Sequence, residues 1–267
     1  MQLLRGIYQK TASRQPVFKN NKQPKMKKIF LPLFLVICFS ANAQKFISSG
    51  MLEFEVRTNN HKVFGDGIWA EMFKDRIPQF STRYFQYTFN EEKAVYKYSH
   101  QDEKTKLPWG NNNAEDNIWF SDYSTGMFVD QKFVFDDTYL LTDSLMKIEW
   151  KLVPNETREI AGFICRKAVG IIFDSVYVFA FYSDEIAIPG GPMGIHGLPG
   201  MILGITVPRM YTSWVATKLQ IVGVNTAVIV APLKGKKKKA TELRQNVEKV
   251  SKNWGTWGQQ SVWNIFL

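Results

Sequence analysis

The sequence predicts a mainly β protein, a curved antiparallel sheet built as a half-barrel or open sandwich, with one or two short helices at its margins. Three observations carry this. Apolar and polar residues alternate with a period of two in stretches such as Leu52–Arg57 (Leu-Glu-Phe-Glu-Val-Arg), the pattern of a strand with one dry face. Such stretches are short and recur between clusters of Asp, Asn, Ser, Gly and Pro, which are turn residues. Long helical repeats do not alternate with them, which argues against βαβ units. Ten or so twisted strands curl or close rather than stay flat.

From the amino end, residues 1–25 hold no acidic group and no periodic apolar pattern, and read as an upstream extension of a chain that starts at Met26. Met26-Lys27-Lys28, the apolar run Ile29–Phe39 and Ala41-Asn42-Ala43 ahead of Gln44 follow the grammar of a signal peptide over 26–43. That run is interrupted by Pro32 and too short to span a bilayer. Cys38 follows bulky Leu35-Val36-Ile37, whereas a lipid-modified cysteine needs small neighbours. Export is therefore expected, to the periplasm or to an outer-membrane-associated or extracellular location.

Residues 44–233 form the expected β domain. After Leu52–Arg57, the spacing of Ile68, Trp69, Met72, Phe73 and Arg76 predicts a short helix within 61–76, ended by Pro78. Arg83–Phe89 and Lys93–Ser99 flank Asn90-Glu91-Glu92 as a hairpin, and 101–117 is a charged, Asn-rich loop. Strands are expected at Ile118–Tyr123, Met127–Phe135, Tyr139–Thr142, Leu145–Leu152, Gly162–Phe173, Val176–Tyr182, Met201–Val207 and Thr212–Leu219, with Ile221–Val230 as one more. In the tail, 234–267, the run Lys234-Gly-Lys-Lys-Lys-Lys239 precedes a helix that Thr241 can cap, with Leu243, Val247, Val250 and Trp254 on one face. The final Trp254, Trp257 and Trp263 are expected in a strand or cap that packs back on the body.

The chain is organised around Ile186–Ile205, which holds six glycines and three prolines. Pro189, Gly191, Pro192, His196, Gly197, Leu198, Pro199 and Gly200 set its path, since Pro holds φ near −65° and Gly supplies positive φ. A tightly folded, partly buried loop entering a strand is expected. It carries shape rather than reactive groups, His196 being its only titratable side chain.

Eight of the 34 basic residues and none of the 24 acidic ones lie in 1–43, so the rest of the chain is nearly neutral, at +2. Body residues 44–233 are acidic on balance, which removes the basic footprint of a nucleic-acid-binding protein. Beyond the leader one cysteine remains, Cys165, amid apolar neighbours, which reads as a buried thiol and forbids an internal disulfide.

Three separated histidines, with no Cys pair and no His-Glu-x-x-His motif, speak against a metal site, and no cofactor is expected. No Gly-x-Ser-x-Gly elbow is present. Gly-Gly-Pro-x-Gly-x-x-Gly (190–197) leads into Leu-Pro-Gly and a strand, not into the helix N-terminus that a phosphate loop needs. Acids at Asp122, Asp130, Asp136, Asp137, Asp184 and Glu185 lie near strand ends, where Asp is an ordinary turn residue, though a glycosidase-type pair meets only in three dimensions. Asp184 and Glu185, at the entrance to the Gly/Pro loop, are candidate interaction residues. So are Lys236, Lys237, Lys238 and Lys239, as a solvated connector or as an attraction for anionic lipid. Aromatic pairs (Tyr84/Phe85, Trp119/Phe120, Phe181/Tyr182) place rings on both faces of strands, one face lining either core or a ligand groove.

His-Gly-Leu-Pro-Gly-Met-Ile-Leu (196–203) resembles the signature of the GLPGLI family, also called Porph_ging, of exported proteins from Bacteroidetes-type bacteria. Trp150-Lys151-Leu152, 160–168, Phe181-Tyr182-Ser183, 188–192 and the basic Pro232–Lys237 are similar to its other blocks. The resemblance covers most of 44–240 and is strongest over 145–207. Met201, Gly204 and Phe181 depart from the family's usual Leu, acidic residue and Trp. The resemblance implies export and β-rich character. The family has no established activity, so no catalytic residue carries over. The expected function is a non-enzymatic envelope protein whose curved sheet binds an apolar or polymeric ligand or an envelope partner. The alternatives are a carboxylate-dependent periplasmic hydrolase, and a structural module whose Lys run touches an anionic membrane.

Overall fold

In the computed structural model, which describes residues 46–65, 67–108, 113–173 and 175–267, the alternating stretch around Leu52 becomes β1 (Gly50–Asn59), with Leu52, Phe54 and Val56 buried. The leader lies outside the described residues, as do Trp109 and Gly110 of the 101–117 loop and Asp174 of the expected hairpin turn. Eleven strands follow: β2 (Phe80–Phe89), β3 (Lys93–Gln101), β4 (Ile118–Asp122), β5 (Met127–Val134), β6 (Asp137–Ser144), β7 (Trp150–Ile160), β8 (Phe163–Ile172), β9 (Val176–Ser183), β10 (Met201–Val207), β11 (Thr212–Gln220) and β12 (Lys236–Lys239).

They form one open sheet in the order β12-β6-β5-β4-β3-β2-β1-β11-β10-β9-β8-β7. Two meanders, β2 to β6 and β7 to β11, are joined edge to edge by β1, which pairs antiparallel with both β2 and β11. The expected mainly β class and curved sheet are what the chain adopts. Curvature is strong enough that β7 touches β11, four places away in the sheet. Register irregularities in β3, β7, β10 and β11 mark bulges, which bend strands and raise their twist.

Residues directly opposite in an antiparallel ladder share a face. Tyr96, Trp119 and Asp130 are so aligned across β3, β4 and β5, and face the hollow of the sheet. The Gly/Pro loop fills the middle of that hollow: Ile186, Ile188, Met193, Ile195 and Leu198 join Leu52, Phe54, Tyr87, Ala180 and Tyr182 in the main core. The sheet wraps around the loop.

Four short helices complete the fold: α1 (Asn60–Phe64), α2 (Ile68–Lys74), α3 (Ala240–Ser251) and α4 (Thr256–Phe266). Several expectations need correction. The single helix within 61–76 is two, because Gly65 takes φ 78° between them. Strand β7 starts at Trp150, not Leu145, and continues through Pro154, Asn155 and Glu156 to Ile160. As an edge strand it is mostly exposed, so it lacks the alternation that marks its neighbours, and an edge tolerates proline. Ile221–Val230 is not a strand; Ile229 instead covers Val95 and Phe120 on the outer face.

The lysine run, read as a solvated connector, is β12, parallel to β6. In α3, Lys239 rather than Thr241 holds the N-cap position, without a side-chain cap bond. Leu243 and Val247 are buried against Val134 and Leu141, but Val250 and Trp254 are 58% and 46% exposed, so the apolar face is shorter than the spacing implied. Trp257 and Trp263 belong to a helix, α4, not a strand; Val262 and Leu267 bury its inner side. Among the described residues no helix is long and apolar enough to cross a membrane.

Candidate functional site

The Gly/Pro loop holds itself by backbone bonds. The amides of Met201, Ile202 and Gly197 donate to the carbonyls of Ile186, Gly190 and Pro189 at 3.1, 2.8 and 2.9 Å. Gly200 sits at φ +135°, and a Cβ there would lie 2.2 Å from the Ser183 carbonyl oxygen. Gly191 is extended, yet a Cβ would stand 2.8 Å from the Ile195 carbonyl and from Ile202. Pro192 and Leu198 are buried, while Pro189, Gly197 and Pro199 are exposed turns of the same path. Below Gly190 and Gly191, the Tyr87 and Tyr123 hydroxyls meet at 2.8 Å. Burial raises the pKa of both phenols.

His196 serves this frame. Its carbonyl accepts the Trp150 indole N–H at 2.9 Å, and its Nδ1 lies 3.2 Å from the Gly194 carbonyl, a contact that puts the proton on Nδ1. Burial depresses its pKa. No described hydroxyl or thiol is hydrogen-bonded to the ring. Cys165 is fully buried, and burial pushes its thiol up to about 11.

The remaining expected site residues do not converge. Asp184 and Glu185 are exposed, and Asp184 is ion-paired with Arg166. Asp122 accepts from the Ser124 and Thr125 amides as a turn residue. Lys236 pairs with Asp137 at 2.7 Å and Lys238 with Glu242 at 3.3 Å, so two of the four lysines are tied to carboxylates. Among the described residues no group of three or more His, Cys, Asp or Glu is placed to hold a metal.

What the fold does bring together lies in the hollow beside the loop. A cavity of about 380 Å³ is bounded by β1–β4, β11, α1 and the end of α4. Arg83, Tyr96, Trp119 and Trp214 line it, with Asn117 and Asn264 at its polar side and Met193 of the Gly/Pro loop as partition. Arg83 belongs to none of the eight ion pairs among the described residues. Burial lowers its pKa, with Tyr96, Tyr98 and Glu115 opposing that shift from a distance. The Tyr96 hydroxyl and the Trp119 Nε1 are buried without a hydrogen-bond partner among the described residues, and burial raises the Tyr96 pKa. Aromatic packing fixes both: Phe85 stacks on Tyr96 at 5.0 Å, and Trp119 meets Tyr96 edge-on at 5.2 Å.

These residues were not singled out in the sequence. The aromatics of β2–β4, Trp119 among them, raised the question of a ligand groove; Arg83 shares the face of β2 that carries Phe85, Tyr87 and Phe89, since the β1–β2 ladder runs unbroken from Phe80 to Phe89.

No family model and no curated protein matches the chain. Similar solved structures are distant. PNGF-II, in a P21 crystal form, superposes with a TM-score of 0.46 at 12% identity, over 78% of this chain and 34% of that one. This chain thus spans about a third of PNGF-II's length. An uncharacterised conserved protein from Thermus thermophilus gives a TM-score of 0.38 at 5% identity, over 73% of this chain and 93% of that one.

Proposed function

We propose that the chain is an exported, non-catalytic binding protein of the cell envelope, related to the GLPGLI proteins, whose curved sheet takes a small anionic ligand into the cavity beside the Gly/Pro loop. Export rests on the signal-peptide grammar of 26–43, and the relationship on the sequence blocks between 145 and 207. The observation that carries the binding reading is Arg83. Half-buried, it lines a cavity without an ion-pair partner among the described residues, beside Tyr96 and beside Trp119, whose buried indole N–H lacks a partner. Buried polar groups ordinarily find partners, and a concave aromatic wall with a few convergent polar groups is how small-molecule sites are built. A cation without an ion-pair partner on an aromatic wall favours a ligand with a negative group.

The test is native mass spectrometry of the chain purified from an exporting host, followed by calorimetric titration with small organic acids. A bound acid that is lost from Arg83→Met, with folding intact, supports the reading. A cavity that takes up no acid, in a protein whose thermal stability rises in Arg83→Met, rejects it.

A further inference from the structure

A second cavity, also of about 380 Å³, lies on the other side of Met193, between β5, β6, α3 and the end of α4. Phe128, Leu141, Leu145, Met146, Met193 and Phe266 give it an apolar wall. Lys132 lines its head. This side chain is 1% exposed, its Nζ lies 3.7 Å above the Trp119 ring, and it has no hydrogen-bond partner among the described residues. A ring face compensates an ammonium only in part, and a buried cation without an acceptor is costly.

The other charged groups around the cavity are engaged or peripheral. Asp143 on β6 accepts from the amides of Ser144 and Thr241 at 3.0 and 3.3 Å. Arg244 on α3 is paired with Glu248 at 2.7 Å. Lys147, after β6, adds positive charge, and Asp130 shares the face of β5 with Lys132, accepting from the Phe120 amide at 3.2 Å.

We infer that this second cavity binds an amphiphile with a carboxylate headgroup, Lys132 being its counter-ion and the apolar wall the bed of its chain. Asp130 offsets the Lys132 charge through space but gives Nζ no hydrogen bond, an acceptor that an arriving anion supplies, and the wall favours hydrocarbon behind it. Asp130, two residues along the same strand face, disfavours a headgroup with two negative charges. Burial raises the pKa of the Asp130 carboxyl, so it can keep its proton and share it in a hydrogen bond with the arriving carboxylate. The inference does not rest on the Arg83 cavity, whose loss would leave it standing.

Calorimetric titration of the full chain with sodium decanoate tests it, with decyltrimethylammonium as the charge-reversed amphiphile. Decanoate is expected to bind, the cation to bind far more weakly, and Lys132→Met to weaken decanoate binding by about tenfold or more. Met146→Trp, which fills the apolar wall without touching Lys132, is expected to block decanoate as well. Absent binding of decanoate, equal binding of the cation, or unchanged affinity in Lys132→Met overturns the inference. Should Lys132→Met fail to fold, the cation control and Met146→Trp decide the matter, since binding indifferent to both rules the site out.

Discussion

The indole N–H of Trp150, on the edge strand β7, donates to the carbonyl of His196, in the middle of the Gly/Pro loop, at 2.9 Å. Strand and loop are 46 residues apart in sequence, and this bond ties the outer rim of the curl to the element that fills it. The same ring packs over Gly170, where a Cβ would come within 2.9 Å of it. Trp150→Phe keeps most of the ring but leaves that carbonyl unpaired. It should cost about 1–2 kcal/mol in urea unfolding and speed amide exchange of Gly197, with no change in far-ultraviolet circular dichroism. Unchanged exchange there would mean that the loop needs no such tie.

Gly200 is the least replaceable position of the loop. Its φ of +135° strains any other residue, and a Cβ would strike the Ser183 carbonyl, whose residue is held in the ladder opposite Met201. Gly200→Ala should therefore lose about 3 kcal/mol or more, or fail to fold. Gly65→Ala is the control: φ is +78° there too, but nothing lies within 4 Å of the added carbon, so about 1–2 kcal/mol is expected. Equal losses at the two sites would refute the packing argument.

The Asp130 and Lys132 pair predicts an unusual pH dependence. Burial raises Asp130 to about 7, so as pH climbs toward 7 the unfolded chain has already lost a proton that the folded chain keeps, and stability falls. Burial brings Lys132 down to about 7; above that the folded chain has lost a proton that the unfolded chain retains, and stability rises. The pair's contribution is thus smallest near pH 7. Lys132→Met removes a buried ammonium at low pH, whereas at high pH the parent's Lys132 is itself neutral and its loss changes the charge balance little. It should be more stable than the parent near pH 5 and close to it near pH 9, a convergence visible in urea midpoints. Parallel curves would remove the pair from the account.

Cys165 should be inert in the native state. It is 0% exposed, and its thiol, pushed up to about 11, offers almost no thiolate at neutral pH. Iodoacetamide should label it at the rate of global unfolding, and rapidly once urea is added. Fast labelling without denaturant would show that β8 opens locally.

His196 carries a smaller prediction of the same kind. Burial holds its pKa below the ordinary imidazole value, so acidification through that window protonates the unfolded chain first and lowers stability. His196→Gln keeps a donor for the Gly194 carbonyl and should flatten the loss of stability on acidification below the ordinary imidazole pKa, seen as a shallower fall of the urea midpoint. An identical slope in parent and variant would assign that loss to other groups.

The local elements were written in the chain itself. Leu52–Arg57 and the first half of Thr212–Leu219 alternate because one face of each strand is dry, and that period survives in the fold, whereas Met201–Val207 reads as a continuous apolar run because it is buried on both faces. The crowding of Gly and Pro between 186 and 205 likewise announced a path set by backbone geometry, and at Gly191 and Gly200 a Cβ would strike neighbouring backbone. Exposed or edge segments were illegible for the same reason: Trp150–Ile160 and Lys236–Lys239 are strands through their neighbours' hydrogen bonds, not through a buried face of their own. Only the tertiary structure decided which side of each strand faces the hollow. Arg83 shares a strand face with Phe85 and Tyr87, but that this face meets Tyr96, Trp119 and Trp214 around one cavity came from strand pairing across the sheet. Lys132 lay in an apparently ordinary strand, and its burial came from α3 and α4 folding back over β5 and β6 from more than a hundred residues downstream. Periodicity reports local alternation. It holds no record of which distant segment will close over a given face.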